Sequence, residues 1–258
     1  MPRVLLSDHE FPDLDLEKEL FARHGIDIAL AQCRTEDDVI REAQGAFGIL
    51  LQYAPITDRV IRALPGLGIV SRIGAGFDTV DTAACERHGV WVANSPDYGV
   101  GEVATHALAL ALASIRNVVA YQRDIAAGQW HYLSSGPLRR ASDMTLGIVG
   151  LGRIGKRMAH ISRNVFRRVI AADPYLIDGD FPASVERATL FLYDHDADEL
   201  FSRVARGDGI AEIRVNTSAG IAGSVFLSGQ AEIVEDAYAD PRFNQEIDRR
   251  TGYRTHSI

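Results

Sequence analysis

The sequence has few cysteines, no long hydrophobic run and no excess of positive charge. Its two cysteines, Cys33 and Cys85, are too few for a disulfide framework and lack metal-ligand spacing, so we expect a reducing, cytoplasmic setting and no bound metal. The longest apolar run, residues 107–115, is too short to span a bilayer. A formal net charge of −8 over 258 residues argues against nucleic-acid binding as the main function. We therefore expect neither a membrane nor a nucleic-acid partner.

The first part of the chain alternates short apolar segments with helical patterns. Apolar residues make up 47% of the sequence and charged residues 24%, as in globular domains, which excludes a disordered or collagen-like chain. Apolar strands separated by single helices are typical of a parallel sheet covered on both faces. The predicted strands are residues 4–6, 26–31, 48–51, 67–71 and 90–93, and the predicted helices are residues 14–24, 35–43, 58–64 and 81–88.

Two features mark the organisation of the remaining chain. The segment between Gly101 and Ala126 has the pattern of one long helix, and its run ATHALALALAS is apolar on every side, so we expect it to be buried between domains or subunits. Beyond about residue 182, the segments ATLFLYD, ELFSRVA and AEIRV are predicted strands joined by the polar turns HDAD and RGDG, as in antiparallel hairpins. A domain boundary is therefore predicted between residues 182 and 188.

The run GLGRIG at residues 150–155 follows a predicted strand and opens a predicted helix. In this context Gly150 allows a tight turn, Gly152 lets the backbone approach a pyrophosphate, and Gly155 allows close packing of helix and strand. The helix N-terminus offers free N–H groups to phosphates. Asp173 ends the next predicted strand, where a carboxylate accepts hydrogen bonds from ribose hydroxyls and repels a 2′-phosphate. The pattern predicts an NAD site.

A second glycine-rich segment follows the fourth predicted strand. Gly74, Ala75 and Gly76 come directly after Arg72 and Ile73. Exposed backbone N–H groups beside an arginine can hold a small carboxylate, which the guanidinium binds through two hydrogen bonds. An ordinary strand-to-helix turn would have the same spacing, so both interpretations remain open on this pattern alone.

The segments RIGAGFDTVD, ANSPDYGVGEVATHALALALASIRN, GQW, TLGIVGLGRIG and VIAADPY stand in one order in residues 1–182. They resemble the D-isomer-specific 2-hydroxyacid dehydrogenases, most closely the C-terminal-binding-protein-like branch. The resemblance implies a flavodoxin-like substrate domain over residues 1–98 and the first half of a Rossmann NAD domain over residues 99–182. It also implies a homodimer through the helix at residues 101–126.

The same resemblance implies two binding sites. A small 2-hydroxy or 2-keto acid would bind at Arg72, Gly74, Ala75 and Gly76. NAD would bind at Gly150, Gly152, Arg153, Ile154, Gly155 and Asp173.

The resemblance also implies three catalytic residues downstream of Asp173: an Arg before Gly, a Glu before Pro and a His after Pro. None of the nine prolines is followed by His or preceded by Glu. The pair Arg206 and Gly207 superficially fits the arginine site, and His195 also lies downstream, but both stand in hairpin-like sequence where turn residues are expected. We therefore assign no catalytic residue and expect nucleotide binding without appreciable turnover.

The chain from about residue 185 to 258 contains ERATLFLYDHDADELFSRVARGDGIAEIRVNTSAGIAGSVFLSG and DAYADPRFNQEIDRRTGYRTHSI. These segments resemble a GAF domain of the cyclic-nucleotide phosphodiesterase and cyclase type. The opening helix and last strands of that family are missing, so we expect an incomplete α+β GAF-like fragment. Three interpretations stay open: a dehydrogenase by descent, a non-catalytic sensor responsive to NAD or cyclic nucleotides, and a fusion of two incomplete domains.

Overall fold

The computed structural model describes residues 1–176, 180–206, 209–251, 254–255 and 258. The chain forms two compact units, Met1–Gly99 and Val100–Ile258. Both contain parallel sheets with helices between the strands, so the predicted α/β fold class is confirmed.

The first unit is a five-stranded parallel sheet in the order β2-β1-β3-β4-β5. Its strands are β1 (Arg3–Leu6), β2 (Asp27–Leu30), β3 (Gly48–Leu51), β4 (Ile69–Arg72) and β5 (Trp91–Asn94). Its helices are α1 (Asp15–Arg23), α2 (Glu36–Glu42), α3 (Asp58–Ala63) and α4 (Thr82–His88). Each predicted strand and helix of this part of the chain is present, with ends that agree to within two residues.

Local sequence signals set the helix ends in this unit. Thr35 and Asp38 form a capping box, in which each side chain accepts a hydrogen bond from the backbone N–H of the other residue. Gly89 ends α4 with a φ of +68°, the left-handed conformation that favours glycine. Strand residues such as Leu5, Ile49 and Val70 are buried beneath the helices. This core aligns the carboxyl ends of the strands along one edge of the sheet.

The second unit begins with two helices where one was predicted. These are α5 (Val100–Ile115) and α6 (Val118–Ala126), which meet at a 56° bend. The prediction of one continuous helix was wrong because Asn117 adopts a φ of +52°, and a left-handed residue cannot continue a right-handed helix. Among the described residues no single helix is long and apolar enough to cross a membrane, although this bent pair reaches that length and composition when taken together.

Burial of these two helices was also expected. Within the chain only Ala104 of α5 is buried, and α6 has no buried residue. Burial against a second subunit therefore stays a prediction.

A three-stranded parallel sheet carries the glycine-rich run. Its strands β6 (Thr145–Val149), β7 (Arg168–Ala172) and β8 (Glu186–Arg187) are hydrogen-bonded in that order, and α7 (Arg153–Ser162) connects the first two. The two-residue strand β8 was not predicted. It brings the segment at residues 185–187, which the sequence left unassigned, into this sheet.

An antiparallel sheet follows, in the order β11-β10-β9. Its strands are β9 (Leu192–Asp194), β10 (Glu199–Arg206) and β11 (Gly209–Asn216), so the predicted hairpins are confirmed. Helices α8 (Gly220–Ser228) and α9 (Gln245–Thr251) come next. Helix α8 was not predicted, because its sequence is apolar on all sides and lacks an amphipathic pattern.

Candidate functional site

The glycine-rich run forms a tight turn between β6 and α7. Gly150 has a φ of +90°, which favours glycine, and Gly152 is the N-cap of α7. A Cβ atom at Gly152 would meet no atom of the described residues within 4 Å apart from its chain neighbours, whereas one at Gly155 would lie 2.1 Å from the carbonyl oxygen of Gly150. The turn is therefore closely packed against the helix at Gly155 and open at Gly152, where a ligand can approach the backbone.

Asp173 lies beside this turn, at the end of β7. Its carboxylate accepts hydrogen bonds from the backbone N–H of Leu151 at 2.6 Å and of Tyr175 at 2.9 Å. The N–H of Gly150 donates to the carbonyl oxygen of Ala172 at 2.8 Å and closes the turn against β7. Because each carboxylate oxygen can accept more than one hydrogen bond, Asp173 can still accept hydrogen bonds from the hydroxyl groups of a ligand.

The start of α7 is electropositive. Arg153, Lys156 and Arg157 all lie in its first two turns, its first turn has no acidic residue, and no side chain of the described residues caps the helix. The first backbone N–H groups of a helix have no acceptor within it, and the helix dipole places positive charge at this end. Arg153 and Ile154 both lie at the exposed surface of this turn. The arrangement is suited to binding phosphate groups.

A cavity of about 370 Å³ opens at the carboxyl ends of β7 and β8, and we call it the strand-end cavity. This volume falls in the range of small-molecule sites. Its lining comes from the glycine-loop sheet and from the following hairpin: Val149, Ala172, Asp173, Pro174, Arg187, Ala188, Thr189, Leu190, Leu192, Phe201, Ser202 and Arg203. The sequence did not predict the hairpin side of this cavity.

In the first unit, the structure brings Arg72 onto the second glycine-rich segment. Gly74 has a φ of +144°, and a Cβ atom there would lie 1.5 Å from Nη1 of Arg72. The Nε of Arg72 donates to the carbonyl oxygen of Gln52 at 3.2 Å, so the guanidinium is held against the glycine. Ala75 and Gly76 lie at the surface. A cation and exposed backbone therefore stand together at the end of β4.

Asp8 shapes the same edge of the first unit, and sequence reasoning missed it. This residue is buried after β1, and its carboxylate accepts hydrogen bonds from the backbone N–H groups of Gln52, Tyr53 and Ala54 at 3.2, 2.5 and 3.2 Å. These bonds fix the loop whose Gln52 carbonyl accepts from Arg72. An acidic residue two positions after the apolar strand β1 was the available signal, but its partners lie more than 40 residues away.

Among the side chains that the structure describes, no candidate catalytic residues are assembled into a site. His195 is exposed in the turn between β9 and β10, with its ring 4.4 Å from the ring of Tyr193. Gly207, the second residue of the Arg–Gly pair, lies outside the described residues. Burial raises the pKa of Cys33 to about 11, so this thiol stays protonated at neutral pH. Within the described ranges no group of three or more His, Cys, Asp or Glu side chains could hold a metal ion.

A family model described as the D-isomer specific 2-hydroxyacid dehydrogenase catalytic domain matches residues 4–241. The D-3-phosphoglycerate dehydrogenase of Synechocystis is 29% identical over 181 residues, covering 68% of this chain and 31% of that protein. The glycerate dehydrogenase of Methylorubrum extorquens is 28% identical over 150 residues, covering 56% of this chain and 48% of that protein. The chain thus spans 31% and 48% of the length of these two relatives.

Solved structures show the same fold. The NAD-dependent formate dehydrogenase from Staphylococcus aureus in complex with NAD matches with a TM-score of 0.62 at 22% identity, over 73% of this chain and 60% of that chain. The D-lactate dehydrogenase from Escherichia coli matches with a TM-score of 0.58 at 20% identity, over 72% of this chain and 60% of that chain.

Proposed function

This chain belongs to the D-isomer-specific 2-hydroxyacid dehydrogenase family, and we propose that its second unit binds NAD at the turn between β6 and α7. The observation that carries this proposal is the Asp173 carboxylate, held 2.6 Å from the Leu151 N–H beside the open backbone at Gly152. The pyrophosphate would bind along the exposed residues of the turn. Asp173 would accept hydrogen bonds from the adenosine ribose and repel a 2′-phosphate, which favours NAD over NADP.

The residues proposed to hold the cofactor are those that the sequence singled out: Gly150, Gly152, Arg153, Ile154, Gly155 and Asp173. The N-terminus of α7 and the side chain of Arg153 supply the positive charge that a pyrophosphate needs. NAD, when bound, supplies the hydride acceptor of this family's chemistry.

The first unit is proposed to bind the carboxylate of a small 2-hydroxy or 2-keto acid. Arg72 would pair with the carboxylate, and the backbone of Gly74, Ala75 and Gly76 would contribute N–H donors. The support is the position of the Arg72 guanidinium directly against Gly74. The negative charge of Asp78 would repel the carboxylate of the ligand, since Oδ2 of Asp78 lies 3.5 Å from the position that a Cβ atom would take at Gly76.

This chain by itself is proposed not to reduce 2-keto acids. Proton exchange with the substrate needs a general acid or base within hydrogen-bond reach. The family's His after Pro and Glu before Pro are absent from these 258 residues, and His195 lies in an exposed turn.

An NADH titration of the intact chain, followed by fluorescence, tests the cofactor proposal. Saturable binding is expected, with the Kd raised about tenfold or more in Asp173→Ala, because a hydrogen bond to a charged group contributes about 1.5–3 kcal/mol. Asp143→Ala, an exposed carboxylate of the same unit, is the matched control and should bind as the wild type does. A folded protein that does not bind NADH would refute the proposal, and NADH-dependent reduction of glyoxylate or hydroxypyruvate would refute the absence of turnover.

A second candidate is a non-catalytic sensor responsive to NAD or cyclic nucleotides, in which residues 1–182 descend from the C-terminal-binding-protein-like branch and residues 185–258 form an incomplete GAF-like domain. The antiparallel sheet β11-β10-β9, followed by α8, favours it. Saturable binding of cyclic AMP or cyclic GMP would support a cyclic-nucleotide sensor, and no binding at millimolar ligand would exclude that form of the sensor.

A homodimer through α5 and α6 is part of the proposal. Five large apolar side chains of these helices are between 49% and 65% exposed within the chain: Val103, Leu110, Val118, Val119 and Ile125. Exposed apolar residues in this density are typical of an interface. Sedimentation velocity should give a dimer for the wild type and a monomer for a Leu110→Gln, Val119→Gln double variant.

A reducing, cytoplasmic setting is also proposed for this protein, since both cysteines are free thiols.

A further inference from the structure

The strand-end cavity has a wall that the glycine-loop sheet does not provide. Leu192 of β9 and Phe201 of β10 are directly paired across the hairpin, so their side chains project from the same face. Arg203 lies two residues beyond Phe201 and shares that face, while Leu200 lies on the opposite face and is buried. The hairpin therefore presents an aromatic ring, an aliphatic side chain and a cation to the cavity.

This wall is anchored to the sheet that carries Asp173. Strand β8 pairs with β7 in parallel register, and the N–H of Ala188 donates to the carbonyl oxygen of Ala171 at 2.6 Å. An ion pair between Arg168 and Glu186 joins the same two strands. Only residues 188–191 then separate β8 from β9. The short connection holds the hairpin face close to the carboxyl ends of the parallel strands.

We infer that Phe201 and Leu192 form the adenine-binding wall of the NAD site, so that cofactor affinity depends on the hairpin as well as on the glycine loop. This inference rests on the proposed NAD binding. Asp173, at the sheet side of the cavity, would take the ribose that carries the adenine. A purine has two flat apolar faces, and stacking on an aromatic side chain is favourable for any base. The guanidinium of Arg214, 5.5 Å from the centre of the Phe201 ring, supports that ring from the neighbouring strand.

The test compares binding of NADH, AMP and nicotinamide mononucleotide to the intact chain. Phe201→Ala should raise the Kd for NADH and for AMP by about tenfold, the effect of losing one base–aromatic stack. Leu192→Ala should raise both by about threefold, and neither variant should change the binding of nicotinamide mononucleotide. Phe201→Trp should retain AMP binding, because it preserves an aromatic face.

Leu227→Ala is the matched control, because Leu227 belongs to the same C-terminal segment, is 64% exposed against 52% for Leu192, and does not line the cavity. Wild-type AMP affinity in a folded Phe201→Ala or Leu192→Ala variant would overturn the inference while leaving NAD binding intact. Failure of the wild type to bind either NADH or AMP would instead refute the proposed function. If circular dichroism shows that Phe201→Ala is unfolded, the AMP affinities of Leu192→Ala and Phe201→Trp test the inference instead.

Discussion

Two glycines of one loop should respond in opposite ways to an added methyl group. A Cβ at Gly155 would lie 2.1 Å from the carbonyl oxygen of Gly150, and backbone cannot move aside as the end of a flexible side chain can. A Cβ at Gly152 would meet no protein atom within 4 Å, and its φ of −69° is one that alanine adopts freely. Gly155→Ala should therefore destabilise the fold, whereas Gly152→Ala should impair only cofactor binding.

The expected magnitudes follow from these contacts. Overpacking a closely fitted site costs about 1–3 kcal/mol, and the fixed backbone obstacle places Gly155→Ala near about 3 kcal/mol of unfolding free energy. At Gly152 the loss of a favourable N-cap residue opposes the reduced entropy of the unfolded chain, so stability should change by less than about 1 kcal/mol. Losing one hydrogen bond to the pyrophosphate should raise the Kd for NADH by about 10- to 150-fold.

Urea unfolding followed by circular dichroism measures the first effect, and NADH fluorescence titration measures the second. Gly147→Ala is the control within β6, since a Cβ there also meets no atom within 4 Å and lies away from the turn. Unchanged stability of Gly155→Ala would refute the close packing of α7 against Gly150. Normal NADH affinity of Gly152→Ala would refute the approach of the pyrophosphate to this backbone.

Three further predictions concern stability and reactivity. Asp8→Ala should lower the unfolding free energy by about 3 kcal/mol, because it leaves three backbone N–H groups without their acceptor. In the same urea titration, substitution of the exposed Asp13 by Ala should change the unfolding free energy by less than about 0.5 kcal/mol. Burial raises the pKa of Cys33 to about 11. At pH 8 this thiol should therefore react with a thiol reagent about 100-fold more slowly in the native than in the unfolded protein. Equal rates would contradict its burial. Hydrogen bonds from the side chain and the backbone N–H of Arg242 lower the pKa of Asp240 to about 2. Their stabilising effect should be present above about pH 4 and lost as the pH falls towards 2. Arg242→Met should remove the side-chain part of this pH dependence and leave the backbone part, and an unchanged pH profile of unfolding would contradict the pairing.

The features that could be predicted from the sequence are those encoded within a few neighbouring residues. The capping box of Thr35 and Asp38 is one, because its two residues are separated by a single helical turn. The turn at Gly150 and Gly155 is another, since strand, turn and helix are contiguous in the sequence. Gly150 is required by its positive φ, and Gly155 by the lack of space for a Cβ atom. The parallel sheets followed from the alternation of apolar strands with helices, which leaves few topologies open.

Only the tertiary structure decided which distant segments meet. Glu186 and Arg187 form a two-residue strand with no pattern of their own, and they join the glycine-loop sheet because β7 offers them a free edge. The pairing of Leu192 with Phe201 depends on hairpin register, and a shift of β9 by one residue against β10 would turn the Leu192 side chain away from the strand-end cavity. Local patterns thus determined most strands and helices and the glycine turn, while long-range hydrogen bonding and packing placed an apolar wall in the cavity that Asp173 also lines.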